Sequence, residues 1–226
     1  MSRTIGLNFH GIGDPARTLE PGEAPYWISS EKFIDILDRV AAQPDPGAYA
    51  LTFDDGNLSD HDIALPALAA RGLSATVFVL TGRIGAPGSL NRSQILALGE
   101  AGITIGSHGI AHRPWSQLDG PALHNELSDS KMALEEICGH PVTLAGIPFG
   151  RYNARTLRAL RRAGYVAAYS SDGGAMSPTA FLRPRTSLRA DMTSAEITAL
   201  LAGHLPPVRR LRRALGMAQR RLLPIG

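Results

Sequence analysis

One cysteine, Cys138, stands in 226 residues, which excludes an internal disulfide framework and a cysteine-built structural zinc site. Lysine is nearly as scarce. Only Lys32 and Lys131 occur, so almost all of the positive charge behind the formal net charge of +3 and the pI near 9.3 is arginine, which points to a biased genome more than to a nucleic-acid surface. No stretch approaches the roughly 20 apolar residues that cross a bilayer. The opening run Met1 to Leu7 is too short and too polar for a signal peptide, so a cytoplasmic location is expected, at most peripheral to the inner face of a membrane. Internal repeats and low-complexity linkers are absent as well. Apolar residues are plentiful, 44% against 19% charged, enough for one sizeable core in a single α/β domain.

Strand-like and helix-like patterns alternate along the chain. Strands are predicted at about residues 4–9, 49–53, 74–80, 103–105, 142–147 and 165–169, with a further one at Phe181-Leu182. Between them, 3.6-residue periodicity predicts helices from Ser29 or Ser30 to Val40, over Ile63 to Ala69, from about Ser93 to Ala101, from about Leu123 to Ile137, and after an Asn153 cap. Thr193-x-x-Glu196 is a capping box that opens another. This order predicts a parallel sheet, open or closed. The tail from Val208 to Leu223 interleaves Arg209, Arg210, Arg212, Arg213, Arg220 and Arg221 with apolar positions at helical spacing, so a basic amphipathic helix over 206–226 is expected to follow a domain of residues 1–205. Packing on the domain is its favoured reading; contact with an anionic membrane surface is the other, and no aromatic platform supports nucleic-acid binding.

Four predicted strands run into polar or glycine-rich clusters: His10-Gly11, Asp54-Asp55-Gly56, Ser107-His108 with His112, and Pro148-Phe149-Gly150. In a parallel sheet those ends share one face, where active sites are built. Asp54 and Asp55 repel each other at the end of a buried strand and need a cation. His108 and His112, four residues apart, can present two imidazoles to one point, and a carboxylate from another strand end completes a common ligand set for a divalent ion. Strand alternation would send Asp54 and Asp55 in different directions, one to the ion and one to a water that the ion polarises. Backbone N–H groups after Pro148 could hold an oxyanion, and His10 is the best candidate acid for a leaving group.

Thr52-Phe53-Asp54-Asp55-Gly56, Ser107-His108 with His112, and Pro148-Phe149-Gly150 resemble, in order and spacing, the polysaccharide deacetylases of the NodB-homology type, carbohydrate esterase family 4, over about residues 4–190. The resemblance implies a single-domain distorted (β/α)7 barrel. It also implies a metal-dependent hydrolase that removes acetyl groups from N-acetylated sugars of a glycan or glycolipid precursor, with zinc, or else cobalt or nickel. Asp54 would be the base, Asp55, His108 and His112 the metal ligands, and the Phe149 N–H an oxyanion donor. Ala145, Gly146 and Ile147 stand where many members carry an arginine, and the late Leu-x-His of the commoner arrangement is missing; His204 is left unassigned. The chain is instead similar to the branch acting on poly-N-acetylglucosamine, with the acid histidine on the first strand, where His10 fits. There Arg185, in Pro184-Arg185, would orient the base, and Asp172 would hold a histidine. Trp115 and Tyr152 could stack on a sugar, although plain packing is the favoured reading. The alternatives are an O-acetyl esterase and an inactive glycan-binding protein.

Overall fold

The first strand, β1 (Thr4–Phe9), is apolar apart from Thr4 and Asn8, and the chain continues through two short bridging strands, β2 (Gly11–Ile12) and β3 (Trp27–Ile28), to α1 (Ser30–Ala41). The structure is a computed structural model that describes residues 3–204 and 207–222, with the side chains of 207–213 and 221 outside the description. Strand and helix then alternate: β4 (Tyr49–Phe53), α2 (Leu65–Ala69), β5 (Ala75–Val79), α3 (Arg92–Glu100), β6 (Thr104–Ser107), α4 (Gly120–Cys138), β7 (Leu144–Gly146), α5 (Ala154–Arg162) and β8 (Ala167–Ser170). Three short strands, β9 (Ala175–Met176), β10 (Leu182–Pro184) and β11 (Thr186–Ser187), precede α6 (Ser194–Leu201) and α7 (Pro207–Leu222).

The main sheet runs β10-β8-β7-β6-β5-β4-β1-β11, parallel throughout, with β9 antiparallel on β1. Its two ends meet in one segment of chain. Pro184 of β10 lies opposite Ser170 of β8, and Thr186 of β11 lies opposite Leu7 of β1, so the single residue between them, Arg185, joins both edges. This nearly closed sheet, wrapped by helices, is the distorted (β/α)7 barrel the sequence led us to expect.

Side chains alternate across each strand. Val77 and Val79 of β5 face outward into a cluster shared with Phe33 and Leu37 of α1 and Ile95 of α3. Phe78 points the other way, beside Tyr169 and Met176. Glycines make that interior possible: a Cβ at Gly106 would lie 2.5 Å from the Phe78 ring, and one at Gly6 would lie 2.6 Å from the Arg185 Cβ.

Helix starts follow their caps. Ser29 accepts from the Lys32 N–H at 3.2 Å, and Asn91–Gln94 and Thr193–Glu196 form capping boxes. α4 begins three residues before the predicted Leu123, because the Asp119 cap and Pro121 start the helix through Gly120 and Ala122, small residues that apolar periodicity does not register. The predicted helix near Ile63 opens as a π-helical segment, Asp60–Ala64, before α2. α7 packs through Met217 against Leu157 and Leu160 of α5. The expected arginine face of the tail rests on Arg209, Arg210, Arg212, Arg213 and Arg221, whose side chains lie outside the described residues, as do residues 223–226. No helix among the described residues is long and apolar enough to cross a membrane.

Candidate active site

The carboxyl ends of β1, β4, β6 and β7 open on one cleft of about 350 Å3, which His10, Asp54, Asp55, His108, His112 and Phe149 line. The two acids are separated by the backbone and not by the strand pleat that sequence reasoning invoked. The Asp54 N–H still continues the ladder to the Phe9 carbonyl at 3.0 Å, but Asp55 has φ 79°, so a left-handed turn begins there and divides the pair. Asp55, His112 and Phe149 are the non-glycine residues of positive φ among those described, and all three line this cleft. Such conformations cost on the order of 1–3 kcal/mol each and persist where the surrounding structure enforces them.

Asp55 Oδ1 lies 3.5 Å from His108 Nε2 and 3.6 Å from His112 Nε2. Each imidazole has its other nitrogen on an acceptor: His108 Nδ1–H donates to the Gly146 carbonyl at 2.9 Å, and His112 Nδ1–H donates to Glu20 at 3.2 Å. Both Nε2 lone pairs are thereby turned toward Asp55. Burial, opposed by Asp54 and Asp55, lowers the His108 pKa to about 4, so the ring is neutral near pH 7. Asp55 Oδ1 is buried without a hydrogen-bond partner, and the three ligand atoms lie within 4.8 Å of one another. Two imidazole lone pairs and an orphaned carboxylate oxygen fit a divalent cation.

Asp54 is held from the opposite side. Its Oδ2 accepts from Arg185 Nη2 at 2.7 Å and from Asn8 Nδ2 at 2.9 Å, while Arg185 Nη1 donates to Asn8 Oδ1 at 2.6 Å and to the Thr52 hydroxyl at 3.0 Å. Arg185 is wholly buried, its guanidinium 4.9 Å from the Phe78 ring centre. Burial alone would raise the Asp54 pKa; Arg185, then His108 and His10, outweigh it and keep the group well below the usual carboxylate range. Asp54 Oδ1 has no partner and is buried. His10 Nε2 is 3.9 Å from Asp54 Oδ2, and its ring packs against Tyr26 at 5.0 Å between centroids.

Arg185 therefore reaches the acid it was matched to in the sequence, but Asp172 holds no histidine. Its carboxylate accepts from the Tyr152 hydroxyl at 2.8 Å and the Ser170 hydroxyl at 2.6 Å and pairs with Arg220, while the histidines of the cleft have other partners or none. Trp115 and Tyr152 are buried core residues. The exposed aromatic is Phe149, 55% accessible, its ring stacked on His112 at 4.3 Å. The turn around it uses the N–H groups of Gly150 and Arg151, which donate to Ile147 and Pro148. Sequence reasoning missed Asn8, Glu20 and Asp60. Asn8 left a signal, a lone amide at a buried position of an apolar strand. Asp60 is buried, neither of its oxygens has a hydrogen-bond partner, and burial together with Asp55 and Asp54 raises its pKa well above the ordinary value.

Fold and site define a parallel α/β barrel with a candidate metal centre at the carboxyl ends of its strands. Residues 41–168 match the family model described as polysaccharide deacetylase. The chain belongs to the polysaccharide deacetylase family. It is 30% identical over 161 residues to YxkH of Bacillus subtilis, which carries the same family name; the match covers 71% of this chain and 54% of YxkH. The chain thus spans about half the length of that relative. Among solved structures, the Streptococcus pyogenes deacetylase PplD in complex with acetate superposes with a TM-score of 0.74 at 21% identity, covering 90% of this chain and 99% of that one. A polysaccharide deacetylase from Bacillus cereus superposes with a TM-score of 0.75 at 20% identity, covering 88% and 69%. These two share the fold.

Proposed function

We propose that the chain is a divalent-metal-dependent N-deacetylase acting on an acetylated hexosamine of a glycan or glycolipid precursor, close to the poly-N-acetylglucosamine branch of its family. The observation that carries this is a pair of orphaned oxygens: Asp55 Oδ1 beside two imidazole nitrogens, and Asp54 Oδ1 free while Oδ2 is tied to Arg185 and Asn8. Asp55, His108 and His112 would hold the ion. When bound, a zinc-class cation supplies Lewis acidity, which activates a water and polarises the acetyl carbonyl.

The protein's own groups then divide the proton work. Asp54 stays ionised because Arg185 keeps it so, and its free oxygen takes the proton of the attacking water. The Phe149 N–H, which the turn does not use, donates to the developing oxyanion. His10, in the same cleft, delivers a proton to the departing nitrogen. An amine leaving group needs that proton more than an alcohol does, which is why the amide is favoured over the O-acetyl ester.

The test is acetate release from N-acetylglucosamine oligomers, with O-acetylated xylan in parallel, by protein loaded with zinc, cobalt or nickel. Acetate from the N-acetylated oligomers, abolished by Asp54→Asn, is expected. Release from the ester alone would reject the amide preference, and release from neither would reject the reading.

A further inference from the structure

Beside the cleft of Asp54 and Asp55 lies a second one, of about 390 Å3, and the two share Phe149, Arg151 and Ser171 as a common rim. That volume is within the range of small-ligand sites. Its charge is one-sided. Asp172 is the acid among its lining residues, and both of its oxygens are committed: Tyr152 and Ser170 donate to Oδ2, and Arg220 of α7 pairs with Oδ1. Arg220 is itself fixed, with its guanidinium carbon 5.2 Å from the centre of the Tyr152 ring.

Arg151, at the rim between the clefts, is exposed and has no acid, carbonyl or ring partner for its guanidinium among the described residues. One guanidinium is compensated and the other is not. α7, which supplies Arg220, carries no acid in its sequence, so that helix brings no carboxylate to offset Arg151. The exposed ring of Phe149 adds an apolar plate at the same rim. No uncommitted carboxylate in this cleft is left to accept from sugar hydroxyls, whereas the fork of Arg151 matches a carboxylate or a phosphate in bidentate fashion.

The geometry points to a subsite for an anionic substituent, a carboxylate or phosphoryl group carried beside the acetylated hexosamine, with Arg151 as its specificity-determining residue. The inference rests on the deacetylase reading for the identity of the hexosamine; the anion site itself is read from the second cleft.

Three probes decide it: tetra-N-acetylchitotetraose, which is neutral; a tetrasaccharide alternating N-acetylglucosamine with glucuronic acid; and UDP-N-acetylglucosamine. Binding is measured by calorimetry on the Asp54→Asn variant, so that no turnover is needed. At least one anionic probe is expected to bind about tenfold or more tighter than the neutral one. Arg151→Gln, a change at an exposed position, should remove most of that preference, and raised salt should weaken it. The arm that binds tells carboxylate from phosphate. Equal affinity for all three probes, or a preference that survives Arg151→Gln, would overturn the proposal. Failure of the metal-loaded wild type to release acetate from any of them would count against the deacetylase reading alone, because binding is read separately.

Discussion

Replacing Arg185 by methionine should do two separable things. The guanidinium is wholly buried and donates three hydrogen bonds, to Asp54, Asn8 and Thr52, while its flat face lies near Phe78. Methionine keeps most of the volume, so the loss is chiefly polar. Removing one partner of a buried ion pair strands the other, which costs about 3–5 kcal/mol. At about 2–4 °C per kcal/mol for a domain of this size, the melting temperature of metal-free protein should fall by roughly 6–20 °C. Asp54→Asn in the same background should restore much of the loss, with a coupling of about 2 kcal/mol or more in the double-mutant cycle. The pH dependence follows from the depressed pKa of Asp54. A carboxylate with a lowered folded pKa contributes stability above its unfolded value of about 3.9 and loses it as the pH falls through the folded one. Without Arg185 the largest of the effects opposing the burial of Asp54 is lost and its pKa rises, so the stability gap between wild type and Arg185→Met should be wide at pH 7 and narrow toward pH 4. The acid limb of the pH profile of kcat/KM should move upward in the variant as well. Urea denaturation across pH reads the first effect and acetate release the second. Additive single-variant losses with a gap that does not change with pH would refute the reasoning.

Glu20 accepts from His112 Nδ1, so Glu20→Gln should weaken zinc affinity by about 10- to 100-fold in calorimetry, and an unchanged Kd would show that this contact does not orient the ligand. Asp60→Asn should stabilise metal-free protein at pH 7 by on the order of 1–3 kcal/mol, because the raised folded pKa means that native stability falls as the pH climbs above the unfolded value; thermal melts should show the gain vanish below about pH 4. Gly106→Ala sets a Cβ 2.5 Å from the Phe78 ring and should cost about 1–3 kcal/mol by overpacking, and a melting temperature equal to that of wild type would mean that the interior yields more readily than the structure implies.

The candidate metal ligands are local in sequence and the partners of Asp54 are not, which explains what could be read in advance. Asp54 and Asp55 are adjacent, His108 and His112 are four apart, and strand ends of a parallel sheet necessarily gather on one face, so motif and topology place these residues together before any coordinates exist. Arg185 reaches Asn8 across 177 positions only because the segment through Pro184 and Thr186 closes the sheet on itself, and periodicity carries no information on which edge a short strand will join. The partner of Asp172 is distant for a related reason: Arg220 sits on a helix whose sequence reads as a surface charge run. The Asp54–Asp55 division depended on φ at Asp55, which residue type alone does not determine. Family resemblance, not periodicity, singles out Arg185 in the sequence, and the closure that carries it to Asp54 also makes the site sensitive to it. Any change that loosens β10 or β11 from β8 or β1 withdraws the cation that keeps Asp54 ionised, so barrel closure and the charge state of Asp54 are coupled in this chain.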